Sequence, residues 1–359
     1  MIPRRRDAVL DALRLIAVLL MIASHTTRLI VWDERRDWSR FALLIEPLTA
    51  SLFLMLVGAS LALSWKAARE RGRAAWFGRQ ARRAAALWAV SCLFYSLEEG
   101  FRLPDALTMS GILATIGYTS LLAMPLAASR RPALALSLAA ALALGAHAWL
   151  DANGSRLFVL NAGNSPLLPL FPLACLGALG ALILEGRSRL RYLVPIAAAA
   201  ILAALLARHG FAEIFSKPLG RYETARELTW IDDGRMKRIS IPYYNLRPIL
   251  VPMIVSLVVL AYAALALARP ALERTQGWLL AMGRRSLDVY ILHLALLAVF
   301  VVAGGKRPLQ KTWQGDAVVL GVIAACWLWA LGRDVLAARR RRGGEAVAEA
   351  PTEKPEAVR

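Results

Sequence analysis

The chain offers a reaction two histidines set in apolar runs and several groups of arginines. His25 closes the first apolar run, Asp7 to Arg28, which reads DAVLDALRLIAVLLMIASHTTR. A helix turns about 100° per residue, so the eleven-residue step from Arg14 to His25 returns to within about 20° of the same face. Asp7, Asp11, Arg14, Val18, Met21, His25 and Arg28 therefore share one stripe. Ionisable side chains cost several kcal/mol against lipid, so the stripe is expected to face protein or a wet cavity. An imidazole there can act as general base on a hydroxyl or amine, or carry a group covalently. It can also simply hydrogen-bond a loop carbonyl at a membrane interface. Asp11 and Arg14, three residues apart, either neutralise each other or leave Arg14 facing an anionic ligand.

The link Lys66 to Arg83, KAARERGRAAWFGRQARR, is densely basic. Most of its charge fits lipid contact and the setting of topology. Arg79, Arg82 and Arg83, within one turn at a helix entrance, suit the phosphates of a ligand. In GRRSLDVYILH, residues 283–293, Ser286, Tyr290 and His293 recur at i, i+4 and i+7 on one face. That face either meets substrate or joins helices by hydrogen bonds. Counting from the start of each run puts His293 in the inner half of a membrane and His25 near its outer boundary, with no second histidine close to His25. Glu46 is a candidate to orient His25 from behind, although capping or exposure explains it equally. His147 and His209 read as interfacial. Trp230, Tyr243 and Tyr244 are able to stack on a sugar or to anchor an aromatic belt. No metal-ligand spacing, GxGxxG, P-loop, HExxH or GxSxG is present, and Cys92, Cys175 and Cys326 lie far apart inside apolar runs, as small hydrophobes do.

The elements carrying these residues are apolar helices. Of 359 residues 58% are hydrophobic, more than a soluble domain of this length needs. The net charge of +19 would suggest nucleic acid in a soluble protein. Here the basic residues cluster in short links between apolar runs, which is the positive-inside pattern and speaks against nucleic acid. The expected fold is an all-α, polytopic membrane bundle of about ten transmembrane helices. They are placed near 8–31, 42–64, 83–99, 107–128, 133–150, 166–185, 192–207, 248–268, 286–303 and 316–332. The basic links then fall on one side, so both termini are expected in the cytoplasm of a multi-pass plasma-membrane protein. Asp11 and Arg14 interrupt the first run, which argues for a retained helix and not a signal peptide. A single membrane domain over 1–335 is expected, with an outer loop at 208–247 and a disordered tail over 336–359.

Several blocks resemble a known family. Arg14, ten residues, then His25 matches the R-x10-H pattern of the first helix in membrane acyltransferases of the acyltransferase-3 superfamily. LDALRLIAVLLMIASH, SLFLMLVGASLALS, SGILATIGYTSLLA, SPLLPLFPLACLGALGALI and LAMGRRSLDVYILHL together resemble its heparan-α-glucosaminide N-acetyltransferase-like branch. Leu15 departs from that pattern, since many members carry glycine there. The resemblance implies that His25 is the central catalytic residue. It further implies that basic residues after the second helix, Arg82 and Arg83 above all, meet the donor. The implied reaction moves an acyl group, usually acetyl, from cytoplasmic acyl-CoA to a sugar hydroxyl or amine of an outer glycan. Acetyl-CoA, the glycan and membrane lipid are the expected partners. A transporter or flippase of an anionic or lipid-linked saccharide is the competing reading. It is disfavoured by the lack of a visible internal repeat and of acidic pairs within the apolar runs.

Overall fold

The computed structural model describes residues 7–30, 37–69, 72–99, 103, 105–108, 111–155, 157, 159–161, 166–184, 190–206, 228–232, 235–239, 250–275, 277–304 and 312–348. In chain order the helices are α1 (Ala8–Ile30), α2 (Asp37–Ala68), α3 (Arg73–Glu99), α4 (Asp105–Thr108), α5 (Ile112–Ala127), α6 (Pro132–Ala152), α7 (Leu167–Ile183) and α8 (Leu190–Leu206). After them come α9 (Leu250–Leu267), α10 (Arg269–Thr275), α11 (Ala281–Arg284), α12 (Ser286–Gly304) and α13 (Thr312–Ala348). The fold is all-α as expected, apart from one small antiparallel hairpin, β1 (Leu228–Asp232) and β2 (Arg235–Ile239). The hairpin lies inside the loop expected over 208–247, and Tyr243, Tyr244, His209 and the side chain of Trp230 lie outside the described residues.

Every one of the ten expected apolar runs falls on a helix. Four of them are long and apolar enough to cross a membrane, Ala8–Thr26, Leu48–Ala68, Pro132–Leu150 and Trp313–Arg339, or five if the bent pair α9 and α10 counts as one. Four shorter apolar helices, of 10–17 residues, add to them among the described residues. Helix α3 is not among these, and Arg73, Arg79, Arg82 and Arg83 occupy its first three turns. Large apolar side chains such as Leu138, Leu142 and Trp149 on α6, and Leu320, Leu328 and Leu336 on α13, are exposed. Outward apolar surface of that extent suits a lipid environment. The chain is a membrane protein. Helix α13 runs on to Ala348, past the boundary expected at 335, and residues 349–359 lie outside the described part.

The chain divides into two compact units, residues 33–269 and residues 1–32 with 270–359. In the first, α2 packs on α7 at backbone distance. A Cβ on Gly58 would overlap the carbonyl of Ala174, and one on Gly177 the carbonyl of Met55. Without water to expel between helices in lipid, such close approach replaces the hydrophobic effect as the source of association. Its core joins Leu61, Ala62, Trp76, Ala123, Leu136, Ala140, Ala143, Phe171 and Cys175. On α6 the buried stripe Leu136, Ala140, Ala143 continues one turn on to His147, which is wholly buried. Helical spacing carries it onto the face that packs against neighbouring helices.

In the other unit α1 packs against α11, α12 and α13. Gly283 of α11 lies directly on α1, where a Cβ would overlap the Asp11 carbonyl and come within 3.1 Å of the Leu15 nitrogen. Asp334 on α13 ties the turn between α11 and α12 in place. Arg284 donates to its Oδ2 from Nε and Nη2 at 3.0 and 2.6 Å, and Arg285 Nε donates to its Oδ1 at 2.9 Å.

Candidate functional site

The helix α1 starts on Asp7, whose Oδ1 accepts from the Val9 N–H at 2.9 Å. A carboxylate in that position satisfies an orphan donor and complements the positive end of the helix dipole. From Ala8 to Ile30 neither glycine nor proline interrupts the helix. The predicted stripe faces inward: Asp11, Val18 and Met21 are buried and His25 is half-buried. Arg14 Nη1 donates to Asp11 Oδ1 at 2.5 Å, so the buried carboxylate carries a counter-charge one turn away. An isolated buried carboxylate would be far more costly.

His25 is not isolated. Its Nδ1 lies 2.9 Å from Nε2 of His293 on α12, and the two rings stack with centroids 5.2 Å apart and planes 21° from parallel. Nδ1 of His293 is 3.3 Å from the Val289 carbonyl one turn back. Tyr290 stands edge-on to both imidazoles, 6.4 Å from His25 and 5.2 Å from His293 between centroids. His293 is wholly enclosed and Tyr290 is buried, while Ser286, one turn below Tyr290, is half-buried. The sequence reading put Ser286, Tyr290 and His293 on one face, and that face carries the partner of His25.

This contact corrects the expectation that no second histidine lies near His25. Counting from the helix starts put His25 about 25 Å and His293 about 10 Å along, at 1.5 Å per residue. The Gly283 junction shifts that origin, because α11 meets α1 at Asp11 and not at its first residue. Measured from the junction the two histidines lie about 21 Å and about 15 Å along their helices. The gap in depth shrinks enough for the rings to meet.

The basic cluster sits in the other unit, at the start of α3. Trp76 is buried against Trp65 and Phe77, and its Nε1 donates to Ser64 Oγ at 3.1 Å. That aromatic anchor fixes the first turns of α3 and leaves Arg79, Arg82 and Arg83 exposed. Arg82 Nε makes one long bond, 3.4 Å, to the Gly78 carbonyl. The side chain of Glu46 lies outside the described residues.

Sequence reasoning missed Asp334. A lone carboxylate at the end of the last apolar run was the available signal, and Arg284 and Arg285 belong to the basic links that the positive-inside pattern already explains. A model of the acyltransferase domain family matches residues 7–333, which takes in every residue singled out from the sequence and ends one residue short of Asp334. No curated protein matches the chain.

Proposed function

The chain belongs to the acyltransferase-3 family, and from that premise we propose that it moves an acyl group from cytoplasmic acyl-CoA to a glycan outside the membrane. Acetyl is the group favoured by the resemblance to heparan-α-glucosaminide N-acetyltransferase-like sequences. The acceptor is a sugar hydroxyl or amine, and the setting is a plasma membrane crossed about ten times with both termini inside.

The observation that carries this reading is the half-buried His25 in contact with His293, on the same face of α1 as the partly buried Asp11–Arg14 ion pair. In the proposed reaction the acceptor oxygen or nitrogen attacks the thioester carbonyl while His25 takes its proton. The carbon–sulfur bond then breaks, and CoA leaves as a thiol after receiving that proton. General-base assistance of this kind is worth about 10²- to 10⁴-fold in rate. Arg79, Arg82 and Arg83 supply exposed guanidinium groups for the phosphates of CoA, which are otherwise incompatible with an apolar bundle. Arg14 adds positive charge at the end of the α1 stripe opposite His25, balanced by Asp11.

The test uses purified full-length protein in liposomes with radiolabelled acetyl-CoA and envelope glycan from a strain lacking the protein. The proposal expects label in the glycan with no membrane gradient imposed. Unlabelled saccharide crossing the membrane while every label stays on CoA would establish a flippase instead.

A further inference from the structure

Resting on the acyltransferase reading, we infer that Thr26 is a further catalytic residue, whose hydroxyl donates to the carbonyl oxygen of the acyl thioester as negative charge gathers there. Thr26 follows His25 on α1 and is wholly buried, and its Oγ1 has no hydrogen-bond partner among the described residues. A buried hydroxyl in that position has lost its bonds to water and gained none in return. Inside a helix the usual remedy is a bond to the carbonyl three or four residues back. This chain uses it often: Ser60, Ser64, Ser96, Thr119 and Ser120 each donate to such a carbonyl at 2.6–3.2 Å. Thr26 does not, although Ile22 and Ala23 stand at those positions. Ser51 is the other enclosed helical hydroxyl left this way among the described residues, and it lies between Ala50 and Leu52 on α2. Of the two, Thr26 adjoins a group able to move a proton.

The position fits what the reaction needs. Attack on the thioester carbonyl turns its oxygen into an oxyanion, and a donor aimed at that oxygen is commonly the largest single aid to acyl transfer. Backbone N–H groups of α1 cannot supply it, because the helix continues from Ala8 to Ile30 and bonds them internally around His25. A donor on this helix is therefore a side chain. With His25 set at 0° around α1, Asp11 lies at about 40°, Ile22 at about 60°, Leu15 at about 80° and Thr26 at about 100°. Gly283 lies against the backbone of Asp11 and Leu15, so Thr26 is on the side of α1 that meets α11. Ser24 is turned about 100° the other way. Neighbouring Cβ atoms on a helix are about 5 Å apart. That spacing lets His25 reach the attacking atom while Thr26 reaches the oxygen on the same carbon. The hydroxyl itself is enclosed, whereas His25 is half-buried. The carbonyl therefore enters at His25, and a small local movement brings its oxygen to Thr26.

The step balances without any further group. The acceptor oxygen or nitrogen bonds to the carbonyl carbon as His25 takes its proton, and the carbonyl π pair moves onto oxygen. Thr26 donates a hydrogen bond to that oxyanion and keeps its own proton. The pair then returns, the carbon–sulfur bond breaks, and the departing thiolate takes the proton held by His25.

The experiment pairs Thr26→Val, which keeps the shape and removes the hydroxyl, with Thr26→Ser, which keeps the hydroxyl. Full-length proteins in liposomes are assayed with radiolabelled acetyl-CoA and envelope glycan, and each is melted in detergent. Thr26→Val is expected to lower kcat by about 100- to 1,000-fold, the worth of one oxyanion donor. KM for acetyl-CoA stays unchanged, since the bond strengthens only in the transition state. The same variant is expected to melt above the native protein, because an unpartnered polar group has left the interior. Higher stability with lower turnover is a signature that a structural hydroxyl would not give. Thr26→Ser is expected to restore most of the rate, and the pH dependence of kcat stays native because Thr26 takes no proton. Native kcat in Thr26→Val overturns the inference and leaves the acyltransferase reading standing. So do a lower melting point in that variant, a Thr26→Ser protein as slow as Thr26→Val, or a shifted pH profile. A native protein that transfers no acetyl group would overturn the acyltransferase reading and the inference with it.

Discussion

Gly283→Ala changes one hydrogen to a methyl group about 15 Å along the chain axis from His293 and about 21 Å along α1 from His25, and is expected to disable them. The added Cβ would stand inside the Asp11 carbonyl and 3.1 Å from the Leu15 nitrogen, both backbone atoms that cannot rotate away. Ordinary contact begins near 3.4 Å, so α11 must retreat from α1 by about an ångström or more. Helix α12 follows directly after Arg285 and moves with it. A shift of about 1 Å turns the 2.9 Å bond between His25 and His293 into a contact too long for a hydrogen bond. Overpacking of this kind costs about 1–3 kcal/mol of stability, and misplacing a reacting group by an ångström costs about 100-fold in rate. The assay pairs thermal unfolding in detergent with acyl transfer from labelled acetyl-CoA. A Gly283→Ala protein with native stability and native turnover would refute the junction as the element that sets the depth of α12.

The other expected outcomes concern separate parts of the chain. Arg82→Ala and Arg79→Ala are each expected to raise KM for acyl-CoA about tenfold, the worth of one charge-assisted bond to phosphate, with kcat nearly unchanged in steady-state assays. Asp334→Asn leaves Arg284 and Arg285 half-buried around a neutral amide, and is expected to lower stability by about 1–2 kcal/mol, less than a fully buried pair would lose; melting in detergent measures it. Gly177→Ala pushes a methyl group into the Met55 backbone and is expected to destabilise by about 1–3 kcal/mol or more, again by melting.

Much of the site was legible because helical periodicity is local. Asp11, Arg14 and His25 lie on one continuous apolar run, and a 100° step is enough to align them. Ser286, Tyr290 and His293 align for the same reason. The meeting of His25 with His293 is a different kind of fact. It joins residues 268 positions apart, and depends on where α11 lands on α1, which is set by a glycine that periodicity treats as a blank. The burial of His147 was hidden similarly: its run is apolar on every side, so nothing in composition separates the face that packs from the face that meets lipid. The pairing of Arg284 and Arg285 with Asp334 was obscured by the strength of the positive-inside pattern, which accounts for arginines in links without asking what they touch.

The account rests on His25 as the reacting group, and His25→Ala in the reconstituted full-length protein tests that most directly. The variant is expected to insert and to melt within a few degrees of the native protein, and to lose transfer of labelled acetyl from acetyl-CoA to envelope glycan by about 100-fold or more. Transfer continuing at the native rate in that folded variant would contradict the assignment.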